Sequence, residues 1–92
     1  MRLLIYFNSE RKDGIVIPIE RIRSIYFADR GDSLGVYVKL NLVEDASAEF
    51  ILRDIHQLEA LITVLSLDNY EFIYIKDGKL VRWTAKFGGD AE

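Results

Sequence analysis

The sequence predicts an α+β domain: a mostly antiparallel β-sheet or small open barrel of about seven strands, five before one amphipathic helix and two after it. Three observations carry this expectation. From Leu34 to Val43 apolar residues alternate cleanly at a period of two, the signature of a strand with one buried face, and shorter apolar runs bounded by turn residues precede and follow it. From Asp54 to Asn69 the period changes to three and four, as a helix with one buried stripe requires. Asp77-Gly78 then separates two apolar runs, and that dipeptide supplies the positive φ angles of a two-residue hairpin turn.

The elements follow in order. Arg2 to Phe7 reads as a strand apolar on both faces, with Leu3, Ile5 and Phe7 on one and Leu4 and Tyr6 on the other. Such a strand is buried on both sides or sits at an interface. A polar loop ends at Asp13-Gly14, and Ile15 to Ile19 is a second strand, held to an edge or a strand end by Pro18. Ile19, Ile22 and Ile25 recur at three-residue spacing, so one helical turn sets all three toward the core before a third strand, Ile22 to Ala28. Leu34 to Val43 alternates cleanly, with Leu34, Val36, Val38, Leu40 and Leu42 inward. Ala48 to Arg53 returns beside it.

Asp54 caps the helix, and Gln57 three places later completes a capping-box pattern. Ile55, Leu58, Leu61, Ile62 and Leu65 form its buried stripe. The last hairpin joins Tyr70–Lys76 to Lys79–Phe87. An unbroken ladder sets Ile75 against Leu80, Tyr74 against Val81, Ile73 against Arg82 and Phe72 against Trp83. One face then carries Phe72, Tyr74, Val81, Trp83 and Ala85 and is expected in the core. The other carries Glu71, Ile73, Ile75, Leu80, Arg82 and Thr84, covered either by the helix or by something else. Residues 1–87 make one domain, and 88–92 read as a loose tail.

The stretch Ile-Pro-x-x-x-Ile-x-Ser-Ile, Ile17 to Ile25, resembles the second-strand region of bacterial pleckstrin-homology-like and other small barrel domains over nine residues. The resemblance implies a small barrel closed by its helix; the hairpin after the helix departs from that pattern.

Composition excludes several chemistries. Half of the residues are apolar and 29% charged, a folded balance. Without cysteine there are no disulfides, thiolate nucleophiles or cysteine-ligated zinc, which fits the cytoplasm. No apolar run reaches the ~18–20 residues of a membrane span, and the short apolar start lacks the marks of a signal peptide. The net charge of −3 is uneven. Residues 1–30 carry six basic and four acidic groups, residues 31–70 two and seven, and residues 71–92 four of each.

No motif rises to a catalytic, cofactor or metal signature. His56 is the single histidine and shares a helix face with Glu59, as an exposed first-turn residue would. Arg30-Gly31-Asp32 reads as a turn. Asp29, Asp32 and Gly35, or Glu44, Asp45 and Glu49, lack the ligand spacing of a calcium loop. The six glycines form no phosphate-binding loop, and the serines have no nucleophile-elbow context.

The expected function is a small non-enzymatic protein-binding or regulatory module of bacterial or phage type, cytoplasmic and self-associating as a homodimer. Its interface is expected at Ile73, Ile75 and Leu80, flanked by Glu71 and Arg82, because an uncovered aliphatic patch marks a docking site. A second reading is a nucleic-acid-binding module using Arg11, Lys12, Arg21, Arg23 and Arg30 with stacking from Tyr26 and Tyr37; the overall acidity speaks against it. A third is a small-ligand binder or enzyme with a pocket beside Trp83 and Tyr74.

Overall fold

The computed structural model describes residues 2–31, 33–67 and 70–85, the last stretch by backbone alone at residues 70 and 82–85. Seven strands and one helix run in the order expected: β1 (Leu3–Asn8), β2 (Asp13–Pro18), β3 (Ile22–Asp29), β4 (Val36–Leu42), β5 (Ser47–Leu52), α1 (Ile55–Leu65), β6 (Tyr70–Lys76) and β7 (Lys79–Ala85). They form two sheets and no closed barrel among the described residues, so the barrel implied by Ile17–Ile25 is not formed. One sheet has four strands in the order β2-β1-β6-β7; the other has three, β3-β4-β5. Every pairing is antiparallel except β1 with β6, which is parallel. The expected tail, residues 88–92, lies outside the described residues.

One core joins both sheets and the helix: Leu4, Ile17, Ile19, Val36, Val38, Leu40, Phe50, Leu52, Leu58, Leu61, Val64, Ile73 and Ile75. The 3-10 turn Ile19–Arg21 places its isoleucine as the spacing predicts, with Ile22 and Ile25 packed behind it. In β4 the alternation holds for Val36, Val38 and Leu40. Leu34 departs from it: the turn before β4 needs Gly35 at φ +80°, and Leu34 is left 65% exposed ahead of the strand.

The helix starts as its sequence directs, with Asp54 accepting the Gln57 N–H at 3.2 Å. Gln57 does not turn back to complete a capping box. Its side-chain oxygen reaches across to accept the Leu80 N–H at 2.9 Å, so the residue ties α1 to β7.

The final hairpin is where expectation and structure part. Asp77 and Gly78 do take positive φ angles, 53° and 80°. Lys76 faces Lys79 and Ile75 faces Leu80, but Tyr74 then faces Arg82, Ile73 faces Trp83 and Phe72 faces Thr84. Val81 is the extra residue of a β-bulge, and the ladder beyond it slips by one. As far as Val81 the faces are also reversed. Ile73 and Ile75 are fully buried and Leu80 packs on the core, whereas Val81 is 39% exposed and Phe72 and Tyr74 stay partly exposed. The cause lies in β1. Its parallel pairing sets Leu4 beside Ile73 and Tyr6 beside Ile75, so the inward row of β1 fixes the inward row of β6. An isolated hairpin carries no such constraint.

Candidate functional site

The expected patch Ile73, Ile75 and Leu80 is therefore not an outward surface: two of its members lie wholly inside the core and the third packs against it. Helix and sheet cover it, the alternative that the sequence left open. Glu71 is exposed at its end, and the side chain of Arg82 lies outside the described residues.

Reversal of β6 turns Phe72 and Tyr74 outward. Phe72 and Tyr74 of β6 stand beside Leu3, Ile5 and Phe7 of β1 on the outward face of the four-stranded sheet, with Val16 of β2 opposite Ile5. None of these side chains belongs to the core or packs against it. Val16, on the edge strand, is 60% exposed. A sheet should be polar on its solvent side; this one is apolar on both. The first strand is apolar on both faces and only partly buried on the outer one, and Phe72 and Tyr74 lie on the side opposite to the one expected.

The three-stranded sheet also has an outward face. Tyr37 of β4 lies between Ala28 of β3 and Ile51 of β5, and its ring meets Tyr26 edge-on, centroids 6.2 Å apart. The Arg30 guanidinium lies 4.7 Å above the Tyr37 ring, a cation–π contact. Partial desolvation, with Glu49 nearby, holds the Tyr37 hydroxyl above the usual tyrosine range.

Tyr6 closes the seam between the sheets. Its ring stacks on Phe50 at 4.8 Å and its hydroxyl donates to the Ile51 carbonyl at 3.3 Å. Burial raises its pKa above the ordinary tyrosine value. Asp77, at the hairpin tip, accepts both the Ser9 N–H (2.8 Å) and the Ser9 hydroxyl (2.7 Å), and these bonds hold its carboxyl below the usual aspartate range.

The basic residues are not brought together. Arg11 and Lys12 lie in the β1–β2 turn, with Arg11 3.6 Å from Asp13. Arg21 reaches Glu44 at 3.7 Å, and Arg23 occupies the bulge at the start of β3. Of these five, Arg11 and Arg30 line one open groove of about 490 Å³, together with Asp13 and Glu49.

His56 is an exposed helix residue 3.4 Å from Glu59, as its spacing suggested. Among the described residues, no three His, Asp or Glu side chains converge as a metal site needs. No described helix is long and apolar enough to cross a membrane. The side chain of Trp83 lies outside the described residues, and Tyr74 lines none of the described hollows. Asp32 of the Arg-Gly-Asp tripeptide also lies outside them; Gly31 and Gly35 frame that turn, with the Gly35 N–H bonded to the Gly31 carbonyl at 2.9 Å.

No protein-family model matches the chain, and neither a curated protein nor a solved structure matches it.

Proposed function

We propose that this chain is a non-enzymatic protein-interaction module of the cytoplasm, and that a partner protein with a flat apolar surface docks on the outer face of its four-stranded sheet. The observation that carries this reading is the row Leu3, Ile5 and Phe7, flanked by Val16, Phe72 and Tyr74, outside the core and facing away from it. Strands ~4.8 Å apart with six residues at ~3.3 Å each make a face of roughly 15 by 20 Å. That is the size of the apolar patches monomeric proteins keep for function, and it suits the dry centre of an interface whose rim is polar. Lys76 ends the outward row of β6 and begins such a rim.

Several groups capable of chemistry are engaged in local bonds, which supports the same reading. Asp77 holds Ser9, Glu20 holds Arg2 at 3.0 Å, and the Arg30 guanidinium lies on Tyr37.

A photo-crosslinking residue at position 16, with position 47 as control, tests the proposal in cells. One identified polypeptide should be captured from position 16 and not from 47. Its capture should disappear on Phe72→Lys in a protein that melts normally. A folded protein that captures nothing specific at position 16 overturns the reading.

A further inference from the structure

We propose that two copies of this chain join edge to edge along β3, so that two three-stranded sheets become one continuous six-stranded sheet. The inference rests on the reading of the chain as a protein-interaction module and uses a different surface from the docking face.

Backbone geometry identifies the open edge. Arg30 donates its N–H to the Gly35 carbonyl at 2.9 Å, and these two residues continue the β3–β4 register, which is unbroken from Ser24 to Asp29. Antiparallel pairs alternate between bonded and non-bonded, so the even-numbered residues of β3 turn their peptide groups toward β4. Ile25, Phe27 and Asp29 turn theirs away. Among the described residues, β3 pairs with no strand but β4. The opposite edge of that sheet is covered: Tyr6 bonds the Ile51 carbonyl, and the Arg53 N–H bonds the Gly78 carbonyl at 2.9 Å. The edge from Ser24 to Asp29 carries neither proline nor lysine, the residues that normally blunt such a template, and its Tyr26 and Phe27 are 55% and 48% exposed.

The sequence of β3 is complementary to itself in one register. A two-fold axis through Tyr26 sets Ile25 opposite Phe27 of the second copy. Both residues turn their peptide groups outward, as a bonded pair needs. The same axis sets Ser24 opposite Ala28, brings Arg23, in the bulge just before that run, near Asp29 at each end, charge beside opposite charge, and places the two Tyr26 rings together on the outer face. An axis through Ile25 would place Arg23 against Phe27, and one through Phe27 would place Ile25 against Asp29. On the inner face the half-exposed Phe27 of each copy then covers Ile25 of the other, which already packs against its own core.

Sedimentation velocity of the full chain over a concentration series tests the pairing. A reversible monomer–dimer equilibrium is expected. Phe27→Pro removes an N–H that points outward and spares the β3–β4 bonds, so it should abolish the dimer while leaving the monomer folded. Arg23→Asp sets two aspartates together at both ends and should raise the dissociation constant about tenfold; adding Asp29→Arg should restore it. The charge pair carries the test should the proline variant fail to fold. A dimer indifferent to the charge exchange overturns the β3 site, and so does a chain monomeric at every concentration. Capture from position 16 is read independently, so loss of the β3 dimer and loss of the docking face are separate results.

Discussion

Asp77 illustrates how a single turn residue acts at two places. Its positive φ lets β6 reverse into β7, and its carboxylate anchors Ser9 of the β1–β2 loop through two bonds. Gly78 beside it passes so close to β5 that a Cβ would lie 3.0 Å from the Arg53 nitrogen and 3.1 Å from the Ile51 carbonyl oxygen. The turn chemistry was legible in the Asp-Gly pair; the anchoring was not, because Ser9 is distant in sequence and any polar loop could have supplied the donor. The lowered pKa of Asp77 has a definite consequence for acid stability. A carboxyl depressed in the folded state contributes stability that is fully present above its unfolded pKa, near 3.8, and is lost as pH falls through the folded value. Ser9→Ala removes the hydroxyl donor and should diminish this contribution. In melts taken from pH 6 down to pH 2, the variant should be less stable than the parent at the upper end and converge with it at the lower. A constant difference across the series would show that the Ser9 hydroxyl acts by some route other than its bond to the carboxylate.

At the scale of the element, β4 and α1 were legible from their own periodicity, except that Leu34 and Ile62, expected inward, are 65% and 46% exposed and Val64 takes a place in the core. The hairpin did not reveal its inward side. Its two faces are both apolar, and rings outweigh aliphatics in buried area, so the rings were expected inside. The choice was made by β1, whose Leu4 and Tyr6 stand in register with Ile73 and Ile75. A parallel partner 69 positions away, as Ile73 is from Leu4, leaves no mark in local spacing. The bulge at Val81 was equally silent, since it obeys no side-chain signature. The same reversal exchanged the candidate site for its opposite face. Two substitutions on adjacent residues distinguish the faces. Ile75→Lys buries an amine among aliphatic groups and should cost about 3 kcal/mol or more, while Tyr74→Lys on the outer face should cost about 1 kcal/mol or less. Denaturant titration measures both, and the opposite order would place the rings inside after all.

At the scale of the whole molecule, two sheets share one interior. Leu4 of the four-stranded sheet, Val38 of the three-stranded sheet and Leu61 of the helix belong to the same cluster and have no exposed surface. Neither sheet could hold its inner face against water alone: a small domain buries too little area for two independent cores. The seam at Tyr6 and the bond from Gln57 to Leu80 add directional ties between layers that hydrophobic contact alone does not specify. Unfolding should therefore be one cooperative event, with far-ultraviolet dichroism, which follows the strands, and near-ultraviolet dichroism of the stacked Tyr6 and Phe50 rings passing through the same midpoint. Leu4→Ala offers the sharper form of this expectation. The residue pairs with Ile17 on one side and Ile73 on the other, so its removal leaves a cavity where β2, β1 and β6 meet. The cost should be about 2–5 kcal/mol, and both signals should shift together. Were the far-ultraviolet signal to survive in part while the ring signal at the seam melted early, the sheets would be separate units. The docking face and the β3 edge would then report on two structures rather than one.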